Sequence, residues 1–183
     1  MTNPLTSSGL KVKNAQDHGM IGAVLFTDPA DDGNMTEFNG YETYPNGPAR
    51  NPSSVQRGSV LFLSTAPGDP TTPGYPSRQD SPRADRSNVT PEIPSIPISW
   101  VEAQPLLAAL NGFGTPGEEV NRTNWVGLIP DTQYFTGPAP GVTISMENVM
   151  EDSYEDNWNP IGIINGTESD EVVCCEGSYS SIS

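Results

Sequence analysis

The chain has 183 residues, of which 18 are glycine and 19 are proline, and it carries a formal net charge of -15. This acidity disfavours nucleic acids and anionic membrane surfaces as partners, because both repel a negatively charged protein. The length suits one domain, and the content of glycine and proline favours short strands joined by long loops. No apolar run approaches the roughly 20 residues that cross a bilayer, so we expect no membrane segment.

The first hundred residues predict one helix and three strands. Residues 11–18 have apolar side chains at helical spacing, and the single histidine, His18, is expected at the end of this helix. Residues 21–27 form a continuous apolar run that ends at Asp-Pro, as in a buried strand, and residues 59–64 form a second such run. Residues 94–99 alternate proline with isoleucine and serine, which predicts an edge strand.

A second helix is predicted directly after these strands. Ser99 and Glu102 have the spacing of a capping box, in which each side chain accepts from the other residue's free backbone N–H. Pro105 lies inside the helix and removes one hydrogen bond, so we expect a bend rather than loss of the helix. The apolar side chains fall on one face, which predicts packing against the sheet: Ala103, Leu106, Leu107 and Leu110.

Two long loops are predicted between the strands, over residues 28–58 and 65–92. Loops of this length in a compact domain are often binding loops or lids. The acidic start of the first loop does not match an EF-hand. Ala30 stands at a ligand position of that motif, and Asn39 replaces the required bidentate acid.

The last part of the chain predicts further strands. Residues 142–149 alternate apolar and polar side chains in the manner of a strand, and the isoleucine-rich stretch 159–166 continues into residues 170–173, which end in two valines. Cys174 and Cys175 are adjacent, which disfavours a disulfide between them, and no C-x-x-C pair is present. One histidine and scattered acids do not supply the ligands of a di-zinc centre, and no G-x-S-x-G string occurs, so we expect no independent catalysis.

Five segments resemble a known family both in sequence and in order. They are Lys11-Val-Lys-Asn-Ala-Gln16, Gly22-Ala-Val-Leu-Phe-Thr-Asp-Pro-Ala-Asp31, Val55-Gln-Arg-Gly58, Gly68-Asp-Pro-Thr-Thr-Pro-Gly-Tyr-Pro76 and Pro94-Ser-Ile-Pro-Ile-Ser99. Together they resemble the protease-associated domain of the glutamate carboxypeptidase and transferrin receptor family of di-zinc peptidases. The resemblance covers residues 11–173, and the Pro-Gly-Tyr-Pro turn is its most specific part.

The resemblance implies an α/β fold in four parts. A variable segment over residues 1–10 precedes a small protease-associated β/β/α domain with long Pro- and Gly-rich loops over residues 11–140. Residues 141–173 resemble the first strands of an incomplete α/β peptidase domain, and residues 174–183 form a divergent tail. The chain therefore leaves the family pattern one strand before the string that carries the first zinc ligand.

The function implied by the resemblance is that of part of an enzyme. In the family, the protease-associated domain is inserted into the peptidase and covers its active site, so we expect a non-catalytic, truncated fragment of a glutamate-carboxypeptidase-like protein. Its partners would be the remaining peptidase and dimerisation domains of a full-length relative. The alternative is a standalone module that binds a protein through its open sheet edge. A third reading is an enzyme whose metal site the sequence does not reveal.

The resemblance also assigns candidate site residues. Thr72 and Tyr75 match residues that help to bind a structural calcium ion, but two oxygens cannot fill a shell of six to eight ligands. We therefore expect no cofactor in this chain alone, whereas the parent would hold two zinc ions and a calcium ion. Arg57 and Ser59 match the wall of the substrate cavity, although for Arg57 we favour a structural role in an ion pair or a loop contact. Ser8 and Ser59 stand where glutamate-releasing members have arginine and asparagine, which weakens a preference for acidic peptide ends.

Four N-x-Ser/Thr triplets predict N-glycosylation in loops or turns. Their acceptor residues are Asn34, Asn88, Asn121 and Asn165. They suggest a parent that matures in the secretory pathway and is vacuolar or membrane-anchored with a lumenal or extracellular domain. The chain itself shows no signal peptide, so its own location stays open.

Overall fold

The computed structural model describes residues 7–120, 125–158, 161–167 and 172–176. The chain divides into two compact units, Met1–Asn148 and Val149–Ser183. The first unit contains, in chain order, α1 (Ser8–Asp17), β1 (Ala23–Leu25), β2 (Ser95–Pro97) and α2 (Trp100–Ala108). The second unit contains β3 (Ile161–Asn165) and β4 (Val172–Glu176). This small mixture of helix and sheet is compatible with the predicted α/β class.

The sheet of the first unit consists of two parallel strands. Ala23 pairs with Ser95, Val24 with Ile96, and Leu25 with Pro97. Both strands are shorter than the runs that predicted them. The connection between the two strands contains 3₁₀ turns but no α-helix and no further strand. Residues 28–58 and 65–92 are therefore irregular, as predicted, but they belong to one continuous connection rather than to two loops separated by a strand.

The strand predicted over residues 59–64 is wrong. Local turns use its backbone groups instead: the Ser59 hydroxyl accepts from the Leu61 N–H at 3.1 Å, and the Thr65 N–H donates to the Phe62 carbonyl at 2.7 Å. Phe62 donates its own N–H to the Val89 carbonyl at 2.9 Å, which links this segment to the second loop. Side-chain and turn bonds of this kind compete with a sheet ladder.

Helix α1 packs against this segment through a glycine. Gly9 is buried, and a Cβ at this position would overlap the Leu61 carbonyl oxygen and crowd the Val60 carbonyl. Val12, one turn further, is completely buried, and Phe62 is almost completely buried. His18 follows the last residue of the helix and is exposed, as predicted, with its Nδ1 2.8 Å from the Asn14 carbonyl oxygen.

Helix α2 confirms the predicted capping box. The Ser99 hydroxyl accepts from the Glu102 N–H at 3.3 Å, while a carboxylate oxygen of Glu102 accepts from the Ser99 N–H at 2.9 Å. The helix continues through Pro105 to Ala108. Of its predicted apolar face, Ala103 is buried and the three leucines are half-buried.

The strand predicted over residues 142–149 is also wrong. This segment contacts the sheet through side chains: the Asn148 amide donates to the Ser95 carbonyl at 3.3 Å, and the Met146 methyl group lies beside Gly22. Pro97 has no N–H to offer on β2, so continuous ladder pairing along this strand is not available. Val142 and Ile144 remain exposed.

Strands β3 and β4 form an antiparallel pair. Ile161 lies opposite Glu176, and Asn165 lies opposite Val172. These strands confirm the sequence prediction, but β4 continues through both cysteines to Glu176 rather than ending at Val173. Cysteine behaves as a small apolar residue and is compatible with a strand.

The two helices have 10 and 9 residues, and among the described residues no helix is long and apolar enough to cross a membrane.

The close approach of α1 to residues 60–61 yields a first test. The substitution Gly9→Ala places a methyl group against backbone atoms that cannot rotate away, so we expect a loss of about 1–3 kcal/mol in the free energy of unfolding. Urea denaturation followed by tryptophan fluorescence measures this loss. The matched control is Gly58→Ala, where an added Cβ meets nothing within 4 Å. Equal stability of the two variants would contradict the packing described.

Candidate functional site

A buried carboxylate stands at the end of β1. Asp28 is 2% exposed, and its Oδ1 accepts from the N–H groups of Ala30 at 2.8 Å and Leu128 at 2.9 Å. Its Oδ2 accepts from the hydroxyl of Tyr134, which in turn accepts from the Ile129 N–H at 2.9 Å. Asp28 thereby fixes the first long loop to a segment 100 residues further along the chain.

Two features show how tightly this network is enclosed. A Cβ at Gly127 would overlap both the Asp28 carboxylate and the Tyr134 hydroxyl. Tyr134 has a φ of 53°, a left-handed conformation that is costly for a residue with a large side chain. Burial and the hydrogen bond to Asp28 raise the pKa of Tyr134 well above its usual range, so its hydroxyl remains protonated. Sequence analysis missed this network, and the only signals were the Asp-Pro after the apolar run and Gly127.

A small cavity lies at the same end of β1. It has a volume of about 10 Å³, enough for one water molecule, and its lining residues are Ser8, Lys11, Leu25, Phe26 and Gln56. The Thr27 hydroxyl donates to Gln56 Oε1 at 2.9 Å. The structure therefore brings Ser8 together with the Val55-Gln-Arg-Gly58 segment, which the resemblance assigned to the substrate cavity.

The two residues predicted to line the substrate cavity, Arg57 and Ser59, follow the cavity-lining residue Gln56 in the chain. Both are exposed. Arg57 forms no ion pair with any described residue. Ser59 is held in the turn described above. Their role in a substrate cavity stays a prediction. Nearby, burial raises the pKa of Asp31, the charge of Asp28 adds to this effect, and Lys11 opposes it.

The second candidate region is the turn that contains Thr72 and Tyr75, which is organised by Asp69. The Asp69 carboxylate accepts from the Thr71 N–H at 2.8 Å, from the hydroxyls of Thr71 and Ser77, and from the Arg83 guanidinium at 2.7 Å. The guanidinium also donates to the Thr71 and Ser77 hydroxyls and to the Arg78 carbonyl. Partial burial raises the pKa of Asp69, but the hydrogen bonds from Ser77 and Thr71 and the charge of Arg83 outweigh it, so the pKa falls to about 2.

This cluster fixes the geometry of the turn. The Thr72 N–H donates to the Asp69 carbonyl at 3.1 Å, and Thr72 is buried. The Tyr75 hydroxyl donates to the Pro82 carbonyl at 2.7 Å and is therefore engaged within the loop. An open depression of about 370 Å³ adjoins the turn and is lined by Gly68, Asp69, Thr72, Tyr75 and their neighbours.

The turn does not by itself fit a calcium ion. Throughout the part of the chain that the structure describes, no three His, Cys, Asp or Glu side chains are grouped so that they could hold a metal. The Asp69 carboxylate is already saturated by hydroxyl, amide and guanidinium donors. Further ligands would have to come from outside this turn.

The predicted glycosylation acceptors are partly described. Asn34 and Asn88 are exposed in loops. Asn165 ends β3, but its side chain lies outside the described part, and Asn121 lies outside the described residues altogether.

Comparison with known proteins identifies the relatives of this chain. It is 73% identical over 165 residues to a probable glutamate carboxypeptidase of Arthroderma benhamiae, covering 90% of the chain and 23% of that protein. It is 48% identical to vacuolar protein sorting-associated protein 70 of Saccharomyces cerevisiae, covering 73% of the chain and 16% of that protein. It is 34% identical to aminopeptidase NAALADL1 of Rattus norvegicus, covering 90% of the chain and 22% of that protein. No protein-family model matches the chain.

The homologues are thus members of the glutamate carboxypeptidase, aminopeptidase and transferrin receptor family, as the sequence resemblance indicated. The chain spans about a fifth of the length of the relatives it matches.

The Asp28 network yields a second test. Tyr134→Phe removes one hydroxyl and leaves both the Asp28 carboxylate and the Ile129 N–H without that partner, so we expect a loss of about 1–3 kcal/mol in unfolding free energy. Hydrogen exchange should also show faster exchange at the Ile129 amide. The control is Tyr44→Phe, because Tyr44 is 72% exposed. The network has no role in stability if both variants unfold alike.

The Asp69 cluster yields a pH test. Because the folded state depresses the pKa of Asp69 from 3.8 to about 2, its contribution to stability is complete above pH 3.8 and is lost as the pH falls through about 2. The Thr71 amide resonance should titrate in this window. Ser77→Ala removes one hydroxyl donor to the carboxylate and should move the midpoint upward toward 3.8. A wild-type midpoint already at 3.8 would rule out the network described.

Proposed function

We propose that this chain is the protease-associated segment of a glutamate-carboxypeptidase-like zinc peptidase, together with the first strands of the peptidase domain. The segment is non-catalytic, and in the parent protein it covers and shapes the substrate cavity. The observation that carries this proposal is the 73% identity to a probable glutamate carboxypeptidase, confined to 23% of that relative.

The geometry at the end of β1 supports a role in the cavity wall. Ser8, Lys11 and Gln56 meet there, and the Arg57 guanidinium next to Gln56 is exposed to contact a substrate. A guanidinium pairs with a carboxylate through two parallel hydrogen bonds, whereas the hydroxyls of Ser8 and Ser59 cannot. Arg57 is therefore the residue of this segment that we assign to substrate binding, and Ser59 lines the wall beside it.

The Asp69 turn supports a structural role for Thr72 and Tyr75. In the parent, oxygens of these two residues would contribute to a calcium ion held between the two domains, with acidic ligands from the peptidase portion. A calcium ion there would supply a charge that joins the domains. In this chain, the bond between Asp69 and Arg83 and the bond from the Thr72 N–H to the Asp69 carbonyl tie the turn together, which supports such a structural role.

The same proposal extends to location and partners. The parent would mature in the secretory pathway and be vacuolar or membrane-anchored, and its zinc ions would be held by its peptidase portion. The partners of this segment are the remaining peptidase and dimerisation domains of such a protein.

A second candidate is a module that binds a protein strand. It is favoured by the pair β3 and β4, which has only two strands within the described residues, so each strand has an edge available for pairing. The edge of β2 is a weaker candidate, because Asn148 contacts it and Pro97 lacks a donor.

The proposal is tested in a chimera, in which this chain replaces the matching stretch of the Arthroderma benhamiae relative. We expect the chimera to keep peptidase activity, measured on a peptide that the unmodified relative cleaves. Arg57→Ala should raise KM about tenfold with little change in kcat, because it removes a contact made equally in the ground state and the transition state. The matched control is Arg78→Ala, an exposed arginine of the second loop, which should leave KM unchanged.

If the folded chimera has the same KM with and without the Arg57→Ala substitution, the assignment of Arg57 to substrate binding is wrong. A folded chimera without activity would contradict the assignment of the whole segment and would favour the strand-binding module.

A further inference from the structure

Asn34 lies at the start of an exposed apolar patch, which we call the 35–41 patch. Its members are Met35, Phe38 and Tyr41, which are 54%, 48% and 45% exposed. The Tyr41 N–H donates to the Thr36 carbonyl at 3.3 Å, so the three residues belong to one turn. Exposed apolar side chains this close together favour a surface that another group covers.

The backbone beneath the patch is fixed. Thr36 is 4% exposed, and its hydroxyl accepts from the Asn39 side-chain amide at 3.1 Å. The same amide donates to the Asn34 carbonyl at 3.1 Å, which closes the loop. Phe38 packs against Trp100 at the start of α2, with ring centroids 6.0 Å apart and planes inclined by 52°. The patch is therefore part of the folded unit rather than a loose end.

The side chain of Asn34 is available for modification. It is exposed and forms no hydrogen bond with any described residue, and the triplet Asn34-Met35-Thr36 is an N-glycosylation acceptor. In the transfer reaction the Asn34 Nδ2 forms a bond to C1 of the sugar and loses a proton. The bond from C1 to the diphosphate of a lipid-linked oligosaccharide donor breaks, and the lipid diphosphate leaves.

We propose that Asn34 carries an N-linked oligosaccharide and that its first sugars cover the 35–41 patch. The C–H face of a sugar ring packs well on aromatic side chains, while its hydroxyls face water. The glycan would thereby remove the apolar surface from solvent. This proposal rests on the secretory location given under the proposed function, but not on the assignment of the chain to a peptidase cavity.

Asn88 provides the internal comparison. It is also exposed in a loop and is followed by Val89 and Thr90, so it is an acceptor of the same kind. However, no large apolar side chain between residues 76 and 95 is exposed. The hydrogen bonds place one exposed apolar side chain near this segment: Leu63 is 45% exposed and follows Phe62, whose N–H donates to the Val89 carbonyl. Asn88 thus lacks three such side chains within seven residues of it, as Asn34 has.

The modification is tested by directing the full 183-residue chain into the yeast secretory pathway with a cleavable leader. Occupancy is read from peptide mass spectra of the total microsomal and secreted protein, so that poor secretion does not hide the result. We expect peptide N-glycosidase to convert Asn34 to Asp. A microsomal protein whose Asn34 peptide remains an unmodified asparagine would overturn the proposal.

The shielding is tested with an apolar fluorescent dye. Secreted Asn34→Gln protein should bind about twofold more dye than secreted wild type, whereas Asn88→Gln should match the wild type. The same three proteins made in bacteria, without glycans, should bind dye equally, which separates shielding from any folding defect of the variant. Equal dye binding by the secreted wild type and Asn34→Gln would overturn the shielding role.

Discussion

The packing of the first unit depends on one buried carboxylate, that of Asp28. Asp28 ends the apolar run of β1, starts the long loop and accepts hydrogen bonds from a segment that follows α2. A buried charge is tolerated only when its acceptor positions are filled, so the loop, the segment around Tyr134 and the strand must be in place together. Gly127 is required for the same reason, since any side chain there would occupy the space of the carboxylate.

The sequence was most informative where structure is decided locally. The capping box at Ser99 and the end of α1 at His18 depend on neighbours within four residues, and both are predicted correctly. The apolar run of β1 is also predicted, but only its part over Ala23–Leu25 finds a ladder partner, which is β2. The predictions of strands over residues 59–64 and 142–149 are wrong. Alternation and apolar content indicate a segment suited to a strand, but they do not indicate whether another strand is available to pair with it. In one case local turns used the backbone, and in the other Asn148 made a side-chain contact instead.

The candidate site shows the same division. Resemblance located the turn at Thr72 and Tyr75, but it did not indicate that Asp69 and Arg83 hold that turn, because their bonds depend on a loop folding back across 14 residues. The cavity that Ser8 and Gln56 line brings together parts of the chain that no periodicity connects. The Asp28–Tyr134 bond spans 106 positions and lies beyond any local pattern. Hydrogen bonds between residues so far apart in sequence can be identified only from the three-dimensional structure.

The parallel pairing of β1 and β2 affects how the chain reaches its fold. These strands are joined by a connection with no helix longer than a 3₁₀ turn, so their contact must close a long, mostly irregular loop. Closure of such a loop costs conformational entropy, and the strand pairing that compensates this cost forms only after the loop has closed. Topologies with many contacts between distant residues therefore fold slowly. The turn around Asp69 and the capped start of α2 can form early, since their partners are near in sequence. By this argument the β1–β2 pair forms after these local elements, and the Asp28–Tyr134 bond, which spans more residues, closes later still.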